Sequence, residues 1–107
     1  MQQEKTIMVV ASSGLTKDNL KHFAYQVALM TTRACNHQVE IVDCIVSTGV
    51  EDIYKSLTKM SKQGVTAHSL LIYSPMTICK TRPEFERFLD VVADKYNLGV
   101  RWITDTF

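Results

Sequence analysis

The chain has 107 residues, 46% of them hydrophobic, and sets 12 Lys and Arg against 11 Asp and Glu for a formal charge of +1. That length predicts one domain, able to bury roughly two-thirds of its surface without disulfides or metals. The near-neutral balance excludes the global field of a polyanion-coating protein, so any nucleic-acid contact has to be local.

Residues 6–20, TIMVVASSGLTKDNL, open with a continuous apolar run from Ile7 to Ala11. A run without alternation predicts a strand buried on both faces, as in the middle of a parallel sheet. The small polar turn Ser12-Ser13-Gly14 follows, and a first helix is expected from about Thr16. Leu20, Phe23, Ala24, Val27, Met30 and Ala34 recur on its predicted inner face, with Lys17, Lys21 and Gln26 on the others. Asn36 and His37 break it. Val39 to Val46 reads as a second strand, placed at a sheet edge by Glu40 and Asp43. Thr48-Gly49-Val50-Glu51 has the form of a capping box and opens a second helix, whose inner face is Val50, Ile53, Tyr54, Leu57 and Met60. Gly64 closes it. Ala67 to Tyr73 is a third strand, apolar enough to be central and ended by Pro75. After the loop SPMTICKT, the Thr81-x-x-Glu84 spacing and Pro83 announce a third helix that buries Phe85, Phe88, Leu89, Val92 and Tyr96. Asn97 and Gly99 stop it, and Val100 to Thr104 alternates as a half-exposed edge strand.

The order is βαβαβαβ, and helical crossovers between strands make parallel neighbours with right-handed connections. The fold class is therefore α/β, a three-layer domain with a four-stranded parallel sheet. Placing the two most apolar strands centrally predicts the order 2-1-3-4. The turn after strand 1 then lies beside the loop after strand 3, at the switch point where open α/β sheets bind ligands. On this reading Ser12, Ser13, Gly14 and Thr16 face Ser74, Thr77, Cys79, Lys80 and Arg82.

The hydroxyl turn and following helix start suit an anion, with Gly14, Thr16 and Arg82 as candidate contacts. Ser, Gly and Thr are equally the ordinary residues of a strand-to-helix turn. The turn lacks the glycine patterns of a P-loop or a dinucleotide fold, so no nucleotide cofactor is expected. Cys35, Cys44 and Cys79 are odd in number and widely spaced, which predicts reduced thiols in a cytoplasmic protein. His22, His37 and His68 have no metal-ligand spacing, so neither metal nor other cofactor is expected. The start MQQEKT has no apolar core of a signal peptide, and no stretch approaches the roughly 18 apolar residues of a membrane span. Lys55, Lys59 and Lys62 make a basic stripe on the second helix, read as a wetted face.

From Ser61 to Asp105 the chain resembles the second half of the catalytic domain of the resolvase/invertase family, the serine site-specific recombinases. The carriers of the likeness are Gly64, the apolar strand ending Tyr73-Ser74, the amphipathic helix, and Gly99-Val100-Arg101-Trp102-Ile103-Thr104. The first half is similar too, with TIMVVASS at the family's strand end and Gln26 at its helix glutamine. The resemblance implies a serine nucleophile that attacks a DNA phosphodiester while arginines neutralise the phosphate. It matches Ser13 to the nucleophile, with Ser12 as the alternative register. The supporting arginines are replaced: Ala11 stands two residues before the serine, Met76-Thr77 at an Asp-Arg pair, Cys79-Lys80 at a Ser-Arg, and Val50-Glu51 at an Arg-Pro. Each lost transition-state donor costs about 2.7–4 kcal/mol, so losing several implies a domain that no longer cleaves. The family's long dimerisation helix and DNA-binding region have no counterpart within residues 1–107.

A weaker likeness links IMVVASSGLTKDN and VEIVDCIV to the IIB subunits of sugar phosphotransferase systems, with Ala11 at their phosphorylated cysteine. The expectation is a recombinase-like domain of mobile-element type that acts by binding DNA weakly, a recombinase-like protein or a second copy of itself. The alternatives are residual phosphoryl or phosphodiester transfer by Ser13 with Lys80 and Arg82, or a degenerate IIB-like carrier fold.

Overall fold

Four parallel strands, β1 (Lys5–Ala11), β2 (Glu40–Ser47), β3 (Ser69–Ile72) and β4 (Gly99–Trp102), form one sheet in the order β2-β1-β3-β4. The structure is a computed structural model that describes residues 3–12 and 17–104. The connections carry α1 (Lys17–Asn36), α2 (Val50–Lys62) and α3 (Arg82–Tyr96), the last preceded by a single 3-10 turn at Pro75–Thr77. The expected α/β class, strand order and helix count are all present.

Strand alternation divides the core into two. Ile7 and Val9 of β1, with Leu70 and Ile72 of β3, point to one face and meet Ile53 and Leu57 of α2 and Phe85, Phe88 and Val92 of α3. Met8, Val10 and Leu71 point to the other face and meet Met30 and Ala34 of α1. A sheet with helices on both faces buries its central strands from both sides, which is why β3 is buried at all four positions. Trp102 belongs to the first face, edge-on to Phe85 at 5.3 Å between ring centres, where it is half-buried.

The local signals around α3 are the most faithful. Thr81 is the N-cap, its hydroxyl accepting from the Glu84 amide at 3.3 Å, while the Glu84 carboxylate accepts from the Lys80 amide at 3.2 Å. Asn97 closes the helix in the left-handed conformation with φ 56°. The edge strand β2 is blunted by a register shift opposite Thr6 and Ile7, and by Asp43, whose carboxylate accepts from the Cys44 amide at 2.8 Å. Register shifts and charges on an edge strand discourage a second chain from pairing there.

Three local expectations are corrected. The box at the start of α2 is shifted by one residue: Gly49 is the N-cap, so the carboxylate three residues on is Asp52 rather than Glu51. Gly49 has no side chain to offer, and Asp52 reaches back to the Thr48 amide (3.0 Å) and hydroxyl (2.6 Å). Strands β3 and β4 are shorter than their apolar runs; Ile103 and Thr104 instead donate their amides to the Tyr73 carbonyl, each at 3.1 Å. The inner face of α1 is also rotated. Leu20 and Ala24 are exposed, and Gln26, expected on an outer face, is buried.

Candidate functional site

The rotation of α1 has a backbone cause. β3 pairs with β1 only from Thr6 to Met8, so the end of β1 lacks a strand on that side. Buried backbone polar groups require partners. Gln26 supplies them: its Oε1 accepts from the Ala11 amide and its Nε2 donates to the Ala11 carbonyl, both at 3.1 Å. The side-chain amide thus stands in for a neighbouring peptide, and an apolar residue there would leave both groups orphaned. The next residue, Ser12, is tied to the other neighbour through its amide, which donates to the Ser47 carbonyl at 2.9 Å.

Beyond this clamp, at the carboxyl edge of the sheet, a cleft of about 700 Å³ opens between α1 and the ends of β1, β2 and β3. Ser12, Ser47, Thr48 and Thr77 line its wall with hydroxyl residues, Tyr25 and Tyr73 with rings, Lys21 with an ammonium and His22 with an imidazole. Among its described lining residues there is no carboxylate and no guanidinium. The Asp52 carboxylate behind Thr48 is occupied by that residue's amide and hydroxyl, and these bonds hold it below the usual carboxylate range. Thr77 donates its hydroxyl proton to the Ser74 carbonyl at 2.6 Å, so its oxygen faces a ligand as an acceptor only. Tyr25 stands edge-on to Tyr73 with ring centres 6.1 Å apart.

Of the residues expected at the site, the structure places Ser12, Gln26 and Thr77 on this cleft. Ser13, Gly14 and Thr16 lie outside the described residues. Lys80 and Arg82 are exposed at the start of α3, and neither is among the described residues lining the cleft. Ser74 is buried beneath the 3-10 turn. Cys79 faces the α2/α3 core, where burial, aided by the nearby Glu84 carboxylate, pushes its thiol up to about 11; it is therefore a thiol and not a thiolate nucleophile at neutral pH. Sequence reasoning missed Lys21, His22, Tyr25 and Tyr73. The signal was the polar stripe Lys21-His22-Tyr25-Gln26, which interrupts the apolar spacing in the first half of α1.

A larger open trough of about 1120 Å³ lies by the carboxyl end of α1. Its wall carries the Glu4 carboxylate paired with the Arg101 guanidinium, so part of its charge is already neutralised within the protein. The described residues hold no cluster of three or more His, Cys, Asp or Glu suited to a metal ion, and no helix among them is long and apolar enough to cross a membrane.

The sequence matches no protein-family model and no curated protein. Among solved structures, the chain is similar to the C-terminal catalytic domain of ISC1926 TnpA, an IS607-like serine recombinase. The TM-score is 0.71 with 11% sequence identity, over 95% of this chain and 71% of that one. At that identity the likeness is one of fold. The chain has the fold of a serine recombinase catalytic domain, in agreement with the resemblance carried by its strand ends.

Proposed function

We propose that this chain acts as a single recombinase-fold domain that binds its target and does not cut DNA. The observation that carries the reading is the chemistry of the wall beside the end of β1. Where the resemblance calls for an Asp-Arg pair, Met76 is half exposed to solvent and Thr77 turns its hydroxyl onto its own turn. Lys21 supplies the cleft's formal positive charge among the described residues. A lysine is a hydrated point charge and does not reproduce the two-pronged grip of a guanidinium on a pentavalent phosphate. With several donors absent, at about 2.7–4 kcal/mol each, Ser13, which the resemblance matches to the nucleophile, lacks the arginines that would activate it. The partners that fit are DNA, a recombinase-like protein or a second copy, met in the cytoplasm.

The reading is tested by incubating the protein with supercoiled plasmid carrying recombinase sites and resolving the products under denaturing conditions. No covalent protein–DNA adduct is expected, and Ser13→Ala should be indistinguishable from the parent. An adduct that disappears in Ser13→Ala would overturn the proposal.

A further inference from the structure

We infer that the cleft between α1 and the end of β3 takes a single-stranded nucleic acid, seating an unpaired base on the Tyr25–Tyr73 corner and its phosphate against Lys21 and His22. The inference rests on the binding reading above and names the ligand of that site.

Three independent features converge. The first is charge. The described lining residues carry the Lys21 ammonium, the hydrogen-bonding His22 imidazole and no carboxylate, and the neighbouring Asp52 is already engaged by Thr48. That balance suits an anion in a chain whose overall charge steers nothing. The second is an aromatic platform. Tyr25 keeps 56% of its surface exposed yet is held edge-on against Tyr73, so one ring is fixed and largely open. Bases stack on such rings whatever their identity, because every base has a π-face. The third is the distribution of exposed apolar surface. Among the described residues the exposed large hydrophobics are Leu20, Tyr25, Val46 and Met76. All four belong to the carboxyl edge: the first turns of α1, the end of β2 and the turn after β3. Apolar exposure gathered at one edge of the sheet favours a binding site there over a wetted face.

The combination selects an unpaired strand over a duplex. In a duplex the base faces are hidden in the stack, and exposing one requires unstacking and unpairing. A cleft of about 700 Å³ has the size of a small-ligand pocket and accommodates one or two nucleotides, whereas a duplex would lie across its mouth. The Ser47 hydroxyl is taken up by Gly49 and that of Thr48 donates to Asp52, so the wall offers few free donors to read a base and confers little sequence preference.

Fluorescence anisotropy with a short fluorescein-labelled DNA strand of mixed sequence, and with the same strand annealed to its complement, tests this on the full chain. The single strand is expected to bind more tightly than the duplex, and Tyr25→Ala should weaken it on the order of tenfold, the scale of one lost base stack. Tyr25→Phe should restore binding, because the ring and not the hydroxyl is the platform. Lys21→Ala should weaken binding and flatten its salt dependence, whereas Lys62→Ala, in the last turn of α2, should leave it unchanged. Tyr25 is exposed, so its variants test the site without removing core. Equal or tighter duplex binding, or single-strand binding indifferent to Tyr25→Ala, would overturn the inference while leaving a non-cleaving, protein-binding domain standing. Conversely, a Ser13-dependent adduct on plasmid would overturn the non-cleaving reading even if single strands bound as expected.

Discussion

On the face covered by α2 and α3, thirteen buried residues among those described form one apolar cluster in which Phe85 and Phe88 stack, with the half-buried Trp102 packed edge-on to Phe85 against it. On the face covered by α1, five buried residues among those described form a smaller cluster, and near the carboxyl edge its helix contributes an amide clamp, a lysine, a histidine and an exposed ring. The difference follows from coverage, since two helices span one face and a single helix spans the other. Where packing is complete, side chains are chosen for volume. Where one helix has to serve a whole face, backbone groups are left to be satisfied and room is left for a ligand. On the proposed function, the sheet separates stability from binding by side.

The largest effect that would break this comparison is a cavity on the well-packed face. Phe88 is 1% exposed and touches both α2 and the sheet. Phe88→Ala should cost about 3–5 kcal/mol, read as a shift in the urea midpoint at constant slope. A loss near 1 kcal/mol would mean that the α2/α3 face is no better packed than its opposite.

Thiol reactivity sharpens the same contrast. Cys35 and Cys44 are exposed, whereas Cys79 is buried in the α2/α3 cluster with its pKa pushed up to about 11. In native buffer Cys35 should react first with an aromatic disulfide reagent, and Cys44, whose pKa is raised by partial burial and the Asp43 carboxylate, more slowly. Cys79 should come last, lagging an ordinary thiol by about 100-fold, the factor that about two pKa units of lost thiolate impose before burial adds its own barrier. Mass spectrometry of the partly labelled protein identifies which cysteine lags; prompt labelling of Cys79 would place it on a surface.

How much of this was legible depends on how local each cause is. The apolar runs of β1 and β3, the Thr81–Glu84 cap, Pro83 and the Asn97 stop act within a few residues of themselves, so strand order and α3 could be read directly from their spacing. Gln26 could not. Its burial depends on β3 ending short of β1, a fact of register between segments more than forty residues apart. Cys79 turned inward for a similar reason: the 3-10 turn at Pro75–Thr77, invisible in a loop of mixed composition, reverses the side chains that follow. The cleft's lining was hidden by the same rotation that buried Gln26, because Lys21 and Gln26 were read as facing away from the core and Tyr25 was given no face.

The Gln26 clamp yields the next effect in size. Gln26→Leu keeps the volume and removes both hydrogen bonds to Ala11, orphaning one donor and one acceptor. A loss of about 2 kcal/mol is expected in urea melts, with faster amide exchange at Ala11 than at Val9. Gln26→Glu is the sharper probe. Its carboxylate still accepts from the Ala11 amide but has no proton for the Ala11 carbonyl, so recovery of full stability by Glu would show that only one of the two bonds matters.

The smallest effect concerns Asp52, at the surface between the cleft and α2. The Thr48 hydroxyl, and after it the Thr48 amide, lower its pKa by bonding to the charged carboxylate. A group whose folded pKa is depressed contributes stability that is fully present above its unfolded value, about 3.9 for Asp, and is lost as pH falls through the lower folded value. Asp52→Asn keeps an acceptor oxygen and removes the titration. The parent should therefore exceed the variant in stability at neutral pH, and the gap should close in acid as Asp52 protonates, all other carboxylates being common to both. Urea midpoints measured from neutral to strongly acid buffer give that gap directly. A gap that does not change with pH would mean that the start of α2 is held by its backbone alone, and that the charge balance of the cleft owes nothing to Thr48.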